Sequence, residues 1–226
     1  MRFTALVLFC SFTLPASAAV PGLESVLARM NDAAATFKAM SAEIKRITHT
    51  AVLNDNSEEA GTVSMLRLSP RDARMLIEFT APDPKSIAFQ QRKAQIYYPK
   101  LQQVEIYDLG KYSKLIDQFL LLGFGTSGRE LVKSYDVKVL GEETVGGRNV
   151  VKLELVPKSG EARQQLNKVE LWLDEAGAYP VQQKFYQPGG DYMLITYTDV
   201  KLNPPLSSGA VTLQLPNNVK KVTPQK

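Results

Sequence analysis

Apolar positions along the chain change period once. From Gly22 to Met40 they recur at Leu23, Val26, Leu27, Met30, Ala33, Ala34, Phe37 and Met40, three or four residues apart, which gathers them on one helical face. Pro21 suits a helix entry, and Glu24, Arg29, Asn31, Asp32 and Lys38 occupy the opposite side. The spacing predicts one amphipathic helix over 22–40, lying against a sheet.

After Met40 the period becomes two, in segments rich in Val, Ile, Thr, Tyr and Phe parted by Gly, Pro, Asn and Asp. Strands are expected over 42–53, 61–68, 73–80, 86–91, 94–98, 103–108, 134–141, 149–156, 168–174, 180–187, 192–201 and 211–215. Asn54-Asp55-Asn56-Ser57, Gly146-Gly147, Glu175-Ala176-Gly177 and Pro188-Gly189-Gly190 supply turn chemistry. Links this short favour an antiparallel meander, and neither a βαβ rhythm nor a repeat of fixed period is visible.

One stretch departs from both periods. Between Lys111 and Lys133, the residues Leu115, Ile116, Phe119, Leu120, Leu121, Leu122 and Phe124 are apolar on almost every side. Gly123, Gly125, Gly128 and a short polar helix around Glu130 follow. A surface helix would keep half its circumference polar. This segment, with helices expected over about 113–133, must be buried on both faces, either inside the core or as a lid between the sheet and something apolar. The glycines permit a hinge and equally a plain helix end.

Composition bounds the function. The 226 residues are 44% hydrophobic and 22% charged, with one Cys and one His, which fits one ordinary globular domain and excludes disordered and disulfide-stapled chains. The net charge of +4 is too mild and dispersed for a nucleic-acid footprint. At the start, Arg2, the apolar run Phe3–Leu14 and the small residues Ala16-Ser17-Ala18 read as a cleaved secretory signal over 1–18, with a single domain over 19–226. The run is about 12 residues, against the roughly 20 of a spanning helix. Cys10 lies inside it, so the mature chain has no thiolate for a metal site, a disulfide or a nucleophile.

Little in the remainder suggests catalysis. His49 has no acidic neighbour in sequence and no Gly-x-Ser-x-Gly elbow accompanies it. The acidic turn at 54–59 lacks the spacing and central glycine of a calcium loop. Gly123-x-Gly125-x-x-Gly128 matches a dinucleotide fingerprint only superficially, because an apolar helix rather than a strand precedes it. No enzyme activity, metal or cofactor is expected. What stands out is alternation: Met75, Ile77 and Phe79 against Arg74, Leu76 and Glu78; Val169, Leu171 and Leu173 against Lys168, Glu170 and Trp172; Val181 and Phe185 against Gln182 and Lys184. One sheet face is apolar, and a packed core and a sheet curled around a cavity both fit that pattern.

Three places carry a family likeness. Gln95-Ile96-Tyr97-Tyr98-Pro99-Lys100-Leu101-Gln102-Gln103-Val104-Glu105-Ile106-Tyr107 resembles the aromatic-Tyr-x-Pro-x-x-x-Gln-Val hairpin of the periplasmic outer-membrane lipoprotein carriers, the LolA-like proteins. Val169–Asp174 with Tyr179-Pro180 resembles their later hairpin, and Val211–Val219 their closing strand and Pro-x-x-Val tail. The order of elements agrees across nearly the whole mature chain. The resemblance implies an α+β fold: an incomplete, strongly curved antiparallel barrel of about 11–12 strands whose concave side is covered by helices.

It further implies a monomeric periplasmic carrier that binds acyl chains of lipoproteins or other lipids without covalent chemistry. The carrier would be loaded by an inner-membrane export complex and relieved by an outer-membrane acceptor. Cavity and lid residues are then expected to be Met75, Ile77, Phe79, Phe89, Leu115, Phe119, Leu122, Leu171, Leu173 and Phe185. The arginine that holds the lid in this family falls here at Arg71 or Arg74. Ala210 stands where an aromatic residue is expected before the last strand. A lipid-sensing or protein-interaction module on the same fold is the alternative, and a lipid hydrolase the remote one.

Overall fold

The computed structural model describes residues 21–69, 72–90, 92–110 and 122–224. The stretch 1–18 expected as a leader, Arg71, Leu115 and Phe119 lie outside that set. Twelve strands form one sheet: β1 (Ala39–Thr50), β2 (Asp55–Ser69), β3 (Asp72–Ala81), β4 (Lys85–Gln90), β5 (Lys93–Tyr98), β6 (Gln103–Asp108), β7 (Tyr135–Val145), β8 (Arg148–Pro157), β9 (Lys168–Asp174), β10 (Pro180–Tyr186), β11 (Tyr192–Leu202) and β12 (Lys220–Val222). Their order is β12-β6-β5-β4-β3-β2-β1-β11-β10-β9-β8-β7. The two ends do not meet, so the sheet is open and curled, and it is antiparallel except where β12 runs parallel to β6.

Long strands follow from sustained alternation, interrupted by bulges at Ser41/Glu43, Ala60/Gly61 and Val139/Gly141. In β9 the inward Val169, Leu171 and Leu173 are buried, while Lys168, Glu170 and Trp172 build the outer face. There Lys168 bridges Glu154 and Glu170 at 2.9 Å each, Lys152 reaches Glu170 at 3.2 Å, and Trp172 Nε1 donates to Glu143 at 2.7 Å. Burial pushes the Glu170 carboxyl up, but its hydrogen bonds and charge pairing with Lys168 and Lys152 outweigh this and hold it below its ordinary value.

Three expected elements are corrected. Helix α1 spans Leu23–Thr36, four residues short of Met40, because Asn203 ends it from across the chain. Asn203 Nδ2 donates to the Thr36 carbonyl at 3.0 Å, and its Oδ1 accepts from the Lys38 and Ala39 amides at 2.7 and 3.2 Å. The first hairpin turns at 51–54 rather than 54–57, with Asn54 in the left-handed region at φ 47°. Residues 208–211 form a 3-10 turn lying against β2 and β3 where a strand over 211–215 was expected. The closing strand is β12, a few residues later.

Among the described residues the core has two large parts, beside a small cluster of Val150, Trp172 and Val181. Val26, Leu27 and Met30 of α1 pack with Leu153, Leu155, Val169, Leu171 and Leu173 of β8 and β9. A second cluster joins Phe37, Met40, Ile44, Val63, Met65, Met75, Phe79 and Phe124. Helix α2 (Gly128–Ser134) lies against α1, and a Cβ at Gly128 would run into the Leu27 backbone. The short helix α3 (Gly160–Arg163) follows β8. Helical cover thus lies over the β8–β9 half of the concave face, and the expected cover of the whole face holds for that part.

Candidate functional site

The other half of the concave face encloses a cavity of about 410 Å³. Antiparallel register stacks its wall in rows, Met40, Met65, Met75 and Phe89 in one and Val63, Ile77 and Ile87 in the next. Ile44 and Phe79 continue it toward Arg46. Phe185, Met193 and Ile195 close the far side. Side chains of one parity from six strands therefore meet in one hollow, as a curled sheet dictates.

Two polar groups in the wall, Tyr197 and Gln183, are paired with one another. Tyr197 Oη donates to Gln183 Oε1 at 2.8 Å, and Gln183 Nε2 donates to the Leu122 carbonyl at 2.5 Å. Burial pushes the Tyr197 phenol far above its usual value, so it stays a neutral donor. Buried polar groups satisfied in this way cost little and present carbon to the hollow.

The loop 122–125 forms one edge of the hollow. Phe124 is buried and meets the Tyr197 ring edge-on at 5.1 Å. Gly123 and Gly125 take positive φ of 78° and 74°, and a Cβ on either would come within 2.5 Å of Pro180 or Phe37 respectively. Arg67 Nη2 donates to the Gly125 carbonyl at 2.6 Å, and its Nη1 reaches the Ala34 carbonyl at 3.4 Å. Its guanidinium stands 5.3 Å from the Phe37 ring centre. The loop is therefore held at both ends, by Gln183 at Leu122 and by Arg67 at Gly125. Ser127 then caps α2 reciprocally with Glu130, whose carboxyl is held down first by the Ser127 backbone hydrogen bond and also by the Arg67 charge.

Of the residues expected at the site, Met75, Ile77, Phe79, Phe89 and Phe185 line this hollow. Leu171 and Leu173 do not; they are fully buried under α1 in the filled half. Leu122 packs in that same cluster and offers its carbonyl to Gln183. Arg74 turns to Asp72, its Nη2 3.3 Å from Oδ2, and among the described residues it holds no lid carbonyl. Arg67 makes that contact instead. Its signal was present in sequence: it shares parity with the inward Val63 and Met65, a cation at the end of an apolar row. His49 stacks on Tyr192 at 4.7 Å, its Nδ1 2.9 Å from Asn56 Oδ1, and lines no part of the hollow.

Among the described residues no cluster of His, Cys, Asp and Glu could hold a metal ion, and no helix is long and apolar enough to cross a membrane. No curated protein matches the sequence. In structure, the chain is similar to an uncharacterized conserved protein from Thermus thermophilus, with 14% identity, 88% of this chain and 98% of that one covered, and a TM-score of 0.55. It is also similar to MucB, with 16% identity over 85% of this chain and 62% of that one, and a TM-score of 0.52. A LolA superfamily protein from Nitrosomonas europaea matches at 15% identity over 87% of this chain and 99% of its own, with a TM-score of 0.38. A family model described as "Uncharacterized protein" matches residues 71–202. The chain belongs to that family of uncharacterised proteins, and its fold is the one it shares with MucB and the Thermus thermophilus protein.

Proposed function

We propose that the protein is a non-catalytic periplasmic carrier that takes a hydrocarbon chain of a lipid or lipoprotein into the hollow and shields it from water on the way toward the outer membrane. The observation that carries this reading is the hollow itself: about 410 Å³, walled mostly by methionine, isoleucine, valine and phenylalanine, with Tyr197 and Gln183 paired within the wall. Each methylene moved from water into such a wall gains about 0.8 kcal/mol. Unfilled apolar volume also weakens a fold by about 24 cal/mol per Å³, so an entering tail stabilises the protein as well as itself.

The loop 122–125 is the gate in this reading. Arg67 and Gln183 close it through two hydrogen bonds to carbonyls, and Phe124 occupies space a tail would take. An incoming chain displaces Phe124 and breaks bonds worth about 1–3 kcal/mol each, an amount a few methylenes repay. Loading and accepting membrane complexes are the partners this role requires, and the leader pattern supports export.

Mass spectrometry of native and delipidated protein tests the proposal. Co-purified lipid is expected in the native sample, and Ile77→Trp, which fills the hollow, should lower uptake of a fluorescent alkyl probe about tenfold or more. A probe bound equally well by the filled variant contradicts the proposal.

A further inference from the structure

The hollow ends on charge. Arg46 lies on β1 two residues beyond Ile44, on the same face, and lines the hollow. Its guanidinium carbon stands 4.3 Å from the centre of the Phe79 ring, and Lys85 Nζ stands 5.4 Å from the same ring centre. Both cations also converge on Glu59. Arg46 Nε donates to Glu59 Oε2 at 2.9 Å and Nη2 binds the same oxygen, while Lys85 Nζ meets Oε1 at 2.5 Å.

Two cations thus share one carboxylate beside an apolar wall. Burial pushes Glu59 up, but the hydrogen bonds from Lys85 and Arg46 outweigh it and keep the carboxyl ionised. One positive charge is left over. The nearby acids do not absorb it by contact: Asp83 pairs with Lys100 at 2.5 Å, and Glu105 accepts from the Tyr107 hydroxyl and the Gln103 amide. Tyr98, whose phenol is raised by burial and by the Glu105 and Glu59 charges, remains a neutral donor near the cluster.

The cluster is sheltered. The Arg46 and Lys85 side chains are only 18% and 24% exposed, and Glu59 14%. Arg46 spends its Nε and Nη2 on the one oxygen of Glu59. A guanidinium packed on a phenyl ring beside a second cation, with a single carboxylate between them, favours a further anion, and a planar or tetrahedral oxyanion fits its fork.

We propose that Arg46 and Lys85 form a head-group site, and that the hollow takes an amphiphile bearing an anionic oxyacid head, a carboxylate or a phosphate monoester. The tail lies along Phe79 toward Met75, and the head replaces part of the Glu59 contact between the two cations. This inference rests on the alkyl-chain reading above and adds the class of cargo. Glu59 has a second task in it, holding both cations in place and ionised while the hollow is empty.

Calorimetric titration of delipidated protein separates the two claims. The probes are dodecanoate, dodecyl phosphate, the neutral monododecanoyl glycerol and inorganic phosphate, tested on the wild type and on Arg46→Gln/Lys85→Gln. The wild type should bind both anionic amphiphiles about tenfold or more tighter than the neutral one, and inorganic phosphate far more weakly than either. The double variant should lose that preference and keep its affinity for the neutral amphiphile. Glu59→Gln, which keeps the shape and removes the competing charge, should widen the preference several-fold, and it decides the matter should the double variant fail to fold.

Equal affinity of the wild type for charged and neutral amphiphiles overturns the head-group site. So does an anion preference that Glu59→Gln leaves unchanged, or inorganic phosphate binding as tightly as the dodecyl ester. Failure of every amphiphile, neutral included, overturns the alkyl-chain reading itself.

Discussion

One concave face is finished in two ways. Across β8 and β9 it is filled: Val26, Leu27 and Met30 of α1 sit on Leu153, Leu155, Leu171 and Leu173, none more than 8% exposed. Across β1–β4 the same inward alternation borders a hollow. The difference lies in where α1 stops. Asn203 caps it at Thr36, so Phe37 and Met40 leave the helix and become part of the second cluster. A helix continued to Met40 would keep them on the face of α1. An apolar sheet face therefore specifies a core or a cavity only together with the length of the helix above it.

Truncation should separate the halves most strongly. Leu171→Ala, in the filled half, is expected to cost about 3–4 kcal/mol. Met75→Ala should cost about 1–2 kcal/mol less, because one side of Met75 already faces space rather than packed atoms. Urea unfolding of both variants measures this, and equal losses would erase the distinction drawn here.

The loop between the halves comes next. Arg67→Met removes the charged donor from the Gly125 carbonyl, a loss of about 1–3 kcal/mol. Hydrogen exchange at residues 123–126 should quicken about tenfold or more while the amides of β9 keep their protection. A smaller effect is expected from Asn203→Ala, about 1 kcal/mol in thermal or urea unfolding by analogy with other lost caps, with exchange rising at residues 36–39. Unchanged exchange there would mean that something other than Asn203 stops the helix.

Acid should act on the outer face of the filled half. The Glu170 carboxyl is held below its ordinary value of 4.5. A depressed carboxylate stabilises the fold fully above that value and loses its contribution as pH falls through the lower, folded-state value. The melting temperature of the wild type should therefore fall on acidification below pH 4.5 more steeply than that of Glu170→Gln. Parallel pH profiles would remove Glu170 from the account.

Much of the sheet was legible in sequence and much of the site was not, for separable reasons. Strands such as 168–174 and 103–108 announce themselves because alternation and turn residues agree at both ends. The end of α1 does not, since the residue that terminates it lies 167 positions away from Thr36. Leu171 and Met75 look alike in sequence because both are inward strand positions, and only the placement of α1 makes one core and the other wall. Arg67 and Arg46 were readable in principle: each continues an inward apolar row, Val63-x-Met65-x-Arg67 and Ala42-x-Ile44-x-Arg46. A cation in phase with the buried face is a stronger signal than one out of phase with Met75, Ile77 and Phe79, as Arg74 is on β3.

The most direct measurement is paramagnetic broadening of methyl resonances by a spin-labelled fatty acid whose label sits on the tail. Bound in the hollow, the label should broaden the methyl signals of Met75, Ile77 and Ile87 strongly and those of Leu153 and Leu155, behind α1, far less. Uniform broadening across both halves, or none in the hollow at saturating probe, would contradict the carrier account.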